Sequence, residues 1–249
     1  MSPSPLTTAS LPALIIHLQR NRARRPRVEA LLAQLGPAAR VLPAIDGAAM
    51  TPEALAAPLA PCATPPYPFA LRPAEVATFL SHRACWQAIL DGGHPAALIL
   101  EDDVDLGPRF PAALALALAH LPETAMVRFP VRPSERGPRL AGHCPGPRLL
   151  RPDPVGLGMR AQVVTRTAAA RLLEATRRFD RPVDTFLQLR WLHGVEMLSV
   201  WPSGVRDISC SLGGSSIHRH VPPAERLRRE VLRPLYRMRI ALQSRRNRP

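Results

Sequence analysis

A chain of 249 residues, 46% of them hydrophobic, is long enough to bury a full core without disulfide or metal staples. Its net charge of +14 comes from 33 basic residues, every one an arginine, against 19 acidic ones. Aromatic residues make up only 4% and do not interleave with the basic runs, which argues against a dedicated nucleic-acid module, and the four scattered cysteines offer no zinc or redox pair.

Leu11 to Leu18 is the first apolar run. It is too short to span a membrane and has no basic flank before it, so residues 12–18 are expected to form a buried strand. With the wide spacing of Cys62, Cys85, Cys144 and Cys210, a reduced, cytoplasmic setting is expected. A helix is expected from Arg22 to Leu35, stopped by Gly36 and Pro37. A short apolar segment then leads to Asp46 and Gly47. Residues 51–72 are rich in proline and alanine and read as an irregular connection. From Pro73 to Leu90 the spacing predicts a helix with Val76, Phe79, Trp86 and Ile89 on one side, His82 at the edge of that face and Ser81 roughly opposite.

The run from Ala97 to Asp105 carries the most information. An apolar strand there delivers Glu101, Asp102, Asp103 and Asp105 within five residues, a cluster that repels itself unless something cationic sits on it. Ligand sites of α/β sheets lie at the carboxyl ends of strands, and hard divalent cations take carboxylate oxygens while bridging to nucleotide phosphates. A solvated acidic turn is the alternative reading. If the strand continues, Glu101 and Asp103 fall on one face and Asp102 on the other, with Asp105 a substitute of the same parity.

Helix is expected next over Pro111 to Leu121, strand over Met126 to Phe129, then a long region at 130–158 punctuated by glycine and proline. Ala161 to Thr165 reads as a strand, with Thr167 capping a helix that runs to about Arg178. Asp184 opens a further helix, Met197 to Trp201 is a late strand, and Pro202 to Gly214 is loop. Strands alternating with helices give an α/β class with a mostly parallel sheet covered on both faces. Residues 1–218 are expected to form this domain and 219–249 a basic helical C-terminal tail, with ten arginines against Glu225 and Glu230. Leu227, Val231, Leu235, Met238 and Leu242 make a stripe along the tail, which Pro234 is expected to break or kink. That composition suits an interfacial helix on anionic lipid, a helix docked on the domain, or a nucleic-acid-binding arm.

Five stretches, taken in order, carry a resemblance. They are Ile16-His17-Leu18 with Arg20, Arg24 and Arg25; Pro43 to Gly47; Glu75-Val76 with Phe79-Leu80-Ser81-His82 and Trp86; Leu100 to Val104; and Asp184 with Phe186-Leu187. Together they resemble glycosyltransferase family 25, the bacterial lipopolysaccharide and lipooligosaccharide glycosyltransferases related to collagen galactosyltransferases. In the first stretch His17 and Gln19 stand where the family has asparagine and aspartate.

The resemblance implies a GT-A-like fold with a Rossmann-like nucleotide-sugar half and an Asp-x-Asp-type motif, here Glu101-Asp102-Asp103. It implies Mn²⁺ or Mg²⁺ held by Glu101 and Asp103, with a late histidine, His218 or His220, added to the metal. It further implies a nucleotide sugar, UDP-galactose or another UDP-hexose, contacted by Arg20, Asp46, Ser81 and Asp102. The partners implied are that donor and a glycan or lipooligosaccharide acceptor, with peripheral attachment at the inner face of the membrane. For an inverting transfer a general base is needed, and Asp184 is the candidate; an N-cap or a salt bridge is its other reading. His82 either contacts donor or acceptor or is a core-edge histidine bonded to backbone. Arg24 and Arg25 serve the diphosphate or a solvated helix face. A metal-dependent phosphohydrolase and a basic nucleic-acid- or membrane-binding protein remain the alternatives.

Overall fold

The aliphatic runs of the sequence become strands buried on both sides. In the computed structural model, which describes residues 7–8, 10–133, 135–209 and 223–247, the chain begins with β1 (Ala13–His17), α1 (Arg25–Leu35), β2 (Ala39–Pro43) and the short α2 (Pro52–Ala56). There follow α3 (Pro73–Asp91), β3 (Ala96–Glu101), β4 (Val104–Leu106), α4 (Phe110–Ala119) and β5 (Ala125–Arg128). The second half adds β6 (Arg139–Gly142), β7 (Arg148–Leu150), β8 (Ala161–Thr165), α5 (Arg166–Ala175), α6 (Val183–Phe186) and α7 (Arg190–His193). It ends with β9 (Glu196–Trp201), β10 (Val205–Asp207) and α8 (Pro223–Arg246).

Eight strands form one sheet in the order β2-β1-β3-β8-β5-β9-β7-β6, and β4 pairs separately with β10. The β1–β2, β1–β3 and β5–β9 pairs are parallel, whereas β8 runs antiparallel to both of its neighbours and β7 to both of its own. The sheet is therefore mixed. Its β8 strand is reached through the β6–β7 hairpin and the following loop, with no crossover helix to bring it in parallel. That hairpin falls in the glycine- and proline-punctuated region 130–158, and β10 falls within residues 202–214, which the sequence reads as loop.

Alternation along the strands divides the core in two. Leu14, Ile16, Ala97 and Ile99 face one side, where α3 contributes Phe79 and Trp86 and α5 contributes Leu172. Ala13, Ile15, Leu98 and Leu100 face the other, against Val28 and Leu31 of α1 and Phe110 and Ala113 of α4. Local signals place most helix ends. Gly36 closes α1 at φ 78°, a backbone that glycine adopts at little cost. The cap of α5 is Thr165, whose hydroxyl accepts the Ala168 N–H at 3.2 Å, not Thr167, and the helix stops at Ala175 instead of near Arg178.

α8 continues through Pro234, which forfeits one backbone hydrogen bond without ending the helix. Tyr236, Ile240 and Ser244, one turn apart, are buried against the domain, and Arg190 reaches Ser244 Oγ at 2.9 Å. So the stretch set apart in the sequence as a tail includes a helix seated on the core. Its opposite face leaves Val231, Leu235, Met238 and Leu242 exposed. Among the described residues no helix is long and apolar enough to cross a membrane.

Candidate active site

The carboxyl ends of β1 and β3 lie side by side, with Ile16 opposite Glu101 in the parallel register. This end of the sheet opens into a cleft of about 1030 Å³, walled by the residue 44–48 loop, α3, the residue 157–160 loop, the start of α6 and one side of α8. Arg20, Asp46, Ser81, His82, Glu101, Asp102, Asp103 and Asp184 all line it. His218 and His220, the proposed late ligands, lie outside the described residues.

Chain turning after Glu101 splits the acidic run. Asp102 points back under β1, where His17 Nδ1 lies 2.7 Å from one carboxylate oxygen and Arg24 Nη1 donates to the other at 2.5 Å. All three side chains are buried, so Asp102, although it lines the cleft, is committed to a buried ion pair. Glu101 and Asp103 share a different partner. Arg160 Nη1 is 3.5 Å from Glu101 and 3.2 Å from Asp103, while its Nη2 holds Asp207 at 2.7 Å. The two carboxylates thus meet at Arg160, but the strand ends at Glu101, so the turn at 102–103 brings them there and not continued strand alternation. Asp105 pairs with Arg27 at 2.9 Å and with Arg206, on the β4–β10 ladder and away from the cleft.

Burial raises the Asp103 carboxyl to about 6, aided by the neighbouring charge of Glu101 and opposed by Arg160 and Arg24. Burial pushes Glu101 up as well, but His82, Arg160 and Arg24 outweigh it and hold that carboxyl below its ordinary range. His82 is fully buried, with Nε2 3.6 Å from Glu101 and no hydrogen-bond partner for that nitrogen, while Nδ1 lies 3.4 Å from Gln162 Nε2. His82 thus lies beside Glu101, and Arg160 spans from Glu101 to Asp103. Among the described residues no group of three or more His, Cys, Asp or Glu side chains is placed to hold a metal ion by itself.

Other named residues shape the walls. Ser81 Oγ donates to the Ala77 carbonyl at 2.8 Å and accepts the Ile45 N–H at 2.9 Å, which pins the loop after β2 to α3. On that loop Asp46 pairs with Arg20 and accepts the Ala48 N–H at 3.0 Å; the two bonds, Arg20 first, hold its carboxyl below the usual range. Arg25 is paired, among the described residues, with Glu29 on the solvent side of α1. Asp184, in the first turn of α6, accepts the Gly158 N–H at 2.9 Å and stays half-buried at the cleft wall.

Three buried or half-buried arginines that the sequence does not single out complete the frame. Arg160 bridges Glu101 and Asp103. Arg128 pairs with buried Glu135 and donates to the carbonyls of Gly156, Leu157 and Gly158, fixing the loop on which Asp184 leans. Arg181, fully buried, binds Asp180 at 2.6 Å, the Ala63 carbonyl at 3.0 Å and the Tyr236 hydroxyl at 2.7 Å. Arg160 directly precedes a β-strand and Arg181 lies three residues before Asp184, which are the only signals the sequence offers.

The arrangement gathers an acidic centre held between guanidinium groups, a further carboxylate, Asp184, on the cleft wall and room for a ligand of nucleotide size. No curated protein matches the chain significantly. The family model described as glycosyltransferase family 25 (LPS biosynthesis protein) matches residues 10–130, just under half of the chain, and over this part, which supplies the cleft floor from β1 to Asp103, the protein is similar to the family 25 glycosyltransferases.

Proposed function

We propose that the protein transfers a hexose from a nucleotide diphosphate donor, galactose from UDP-galactose in the first instance, to a glycan or lipooligosaccharide acceptor with inversion. The observation that carries this reading is the cleft at the carboxyl ends of β1 and β3, which collects Glu101, Asp103 and Asp184. Its acidic floor is the counterpart of the family's Asp-x-Asp motif, and the fold that goes with it is GT-A-like.

Glu101 and Asp103 would hold Mn²⁺ or Mg²⁺, which suits a donor set of two carboxylates completed by diphosphate oxygens. The crowding that pushes Asp103 up to about 6 is what a bound cation relieves. When bound, the ion supplies Lewis-acid stabilisation of the leaving diphosphate. Arg160 keeps the two carboxylates together, and the Asp102 pair with Arg24 fixes the turn that presents them. Asp184 would take the proton of the acceptor hydroxyl, its second oxygen being held by Gly158 N–H so that the carboxylate keeps one orientation. His82 faces Glu101 and orients it. The Arg20–Asp46 pair borders the nucleotide end of the cleft.

Attachment to an anionic membrane surface, peripheral and on the inner face, is part of the same reading. The exposed stripe Val231, Leu235, Met238 and Leu242 offers a face to insert, and Arg239, Arg245 and Arg246 on the same helix offer attraction to lipid phosphates.

A thermal-shift panel of nucleotide sugars with and without Mn²⁺ tests the proposal. A ligand at about a hundred times its Kd stabilises the native state by about 2.7 kcal/mol, several degrees for a chain of this size. A Mn²⁺-dependent shift with UDP-hexoses is expected. No shift with any nucleotide sugar would overturn the reading, and phosphate release without an acceptor would favour a phosphohydrolase.

A further inference from the structure

The acidic floor of the cleft faces a basic wall. Arg233 and Arg237 lie one turn apart on α8, so they emerge on the same side of the helix, and both line the cleft. The helix holds them at a fixed place. Tyr236, next to Arg237, is buried, bonds Arg181 through its hydroxyl at 2.7 Å and packs edge-on against Tyr67 at 5.4 Å between ring centroids. Ile240 and Ser244 repeat the anchorage over the next two turns.

Both guanidinium groups are exposed, and neither has a hydrogen-bond or ion-pair partner among the described residues. The other arginines around the cleft floor differ in this respect. Arg20 is paired with Asp46, Arg24 with Asp102 and Arg160 with Asp103 and Asp207. Two unpaired planar forks on a cavity wall are suited to a phosphate-type anion, which they take with two parallel N–H bonds each. Their neighbour Tyr236 is bonded to Arg181, three residues before Asp184, so the basic wall adjoins the α6 side of the cleft.

Two sources of such an anion exist, the donor diphosphate and a phosphorylated acceptor. The donor diphosphate is already provided for at the Glu101–Asp103 floor. We infer that Arg233 and Arg237 form an anion subsite for the acceptor, which makes a phosphorylated saccharide the preferred acceptor class. The inference rests on the glycosyl-transfer reading and adds to it the charge of the substrate.

The probes are diacetylchitobiose and diacetylchitobiose 1-phosphate, titrated calorimetrically into the full chain without nucleotide, so the result is read independently of whether a nucleotide sugar binds. The wild-type protein is expected to bind the 1-phosphate about tenfold or more tightly than the neutral disaccharide. R233Q/R237Q is expected to lose that preference, each single variant part of it, and R239Q, which removes the same charge from a residue that does not line the cleft, none of it. UDP affinity, measured separately, should stay within about twofold in all four variants. Equal binding of the two disaccharides by the wild type overturns the inference, as does an undiminished preference in R233Q/R237Q or in both single variants. A fall in UDP affinity matching the loss of phosphate preference would assign the arginines to the donor and overturn it too.

Discussion

Asp184 accepts the backbone N–H of Gly158 at 2.9 Å, and through this bond the first turn of α6 is tied to the loop that Arg128 clamps by three carbonyls. The carboxylate is therefore oriented by backbone that is itself fixed, as a proton acceptor must be for effective general-base work.

Replacing Asp184 by Asn keeps an oxygen for Gly158 and removes the carboxylate proposed as the base. Turnover is expected to fall by roughly 10²–10⁴-fold with donor affinity nearly unchanged. Steady-state kinetics with UDP calorimetry checks this. Near-normal turnover removes Asp184 from the chemistry, and loss of folding assigns it to structure.

Asp103→Asn should abolish Mn²⁺-dependent UDP affinity in a folded protein, which calorimetry measures directly. The same variant has a pH signature without metal. The folded carboxyl is raised to about 6 and the unfolded one titrates near 4, so the native state binds the extra proton between those values. Wild type then loses stability relative to Asp103→Asn as pH climbs from about 4 to about 6, by up to roughly 3 kcal/mol. Urea titrations at pH 4, 5, 6 and 7 read the difference, and a flat difference would contradict the burial and repulsion described for Asp103.

His193 predicts the opposite slope. Burial lowers its imidazole to about 4, with Arg190 adding to the effect and the hydrogen bond to Leu187 opposing it. The unfolded ring takes a proton near 6.5 and the folded one resists, so stability is full above that pH and is lost as pH falls from about 6.5 towards 4. His193→Gln should flatten this window in the same titrations; an unchanged acid limb would show that other groups set it.

Arg181 is expected to matter more to stability than its distance from the chemistry suggests. Arg181→Met leaves Asp180 without its cation and Tyr236 without its donor, and a loss of about 3–5 kcal/mol follows for one partner of a buried pair. Tyr236→Phe removes only the hydroxyl and should cost about 1 kcal/mol. Denaturant midpoints for the two variants test the order, and equal costs would contradict it.

The aliphatic strands were legible from residue type alone, because Leu14-Ile15-Ile16 and Leu98-Ile99-Leu100 are buried on both faces and show as unbroken runs. The cleft floor was legible too, since four acids in five residues have few structural explanations. What stayed hidden depends on pairing across long sequence gaps. In a chain whose basic residues are all arginines, nothing local separates Arg128, Arg160 and Arg181, which organise the site, from the many arginines that face solvent. The antiparallel entry of β8 was hidden for a similar reason: strand direction is set by the route of the preceding loop, and residues 130–158 advertise turns without showing where they lead.

The loop pinned by Ser81 has a consequence for any mutational scan of this protein. A Cβ added at Gly47 would stand 2.4 Å from the Pro73 carbonyl oxygen, backbone that cannot swing aside because it opens α3. Every substitution at that position should push the Asp46 turn off the helix and open the Arg20–Asp46 end of the cleft. Activity profiling would score Gly47 among the most intolerant positions, although it has no side chain with which to touch a substrate.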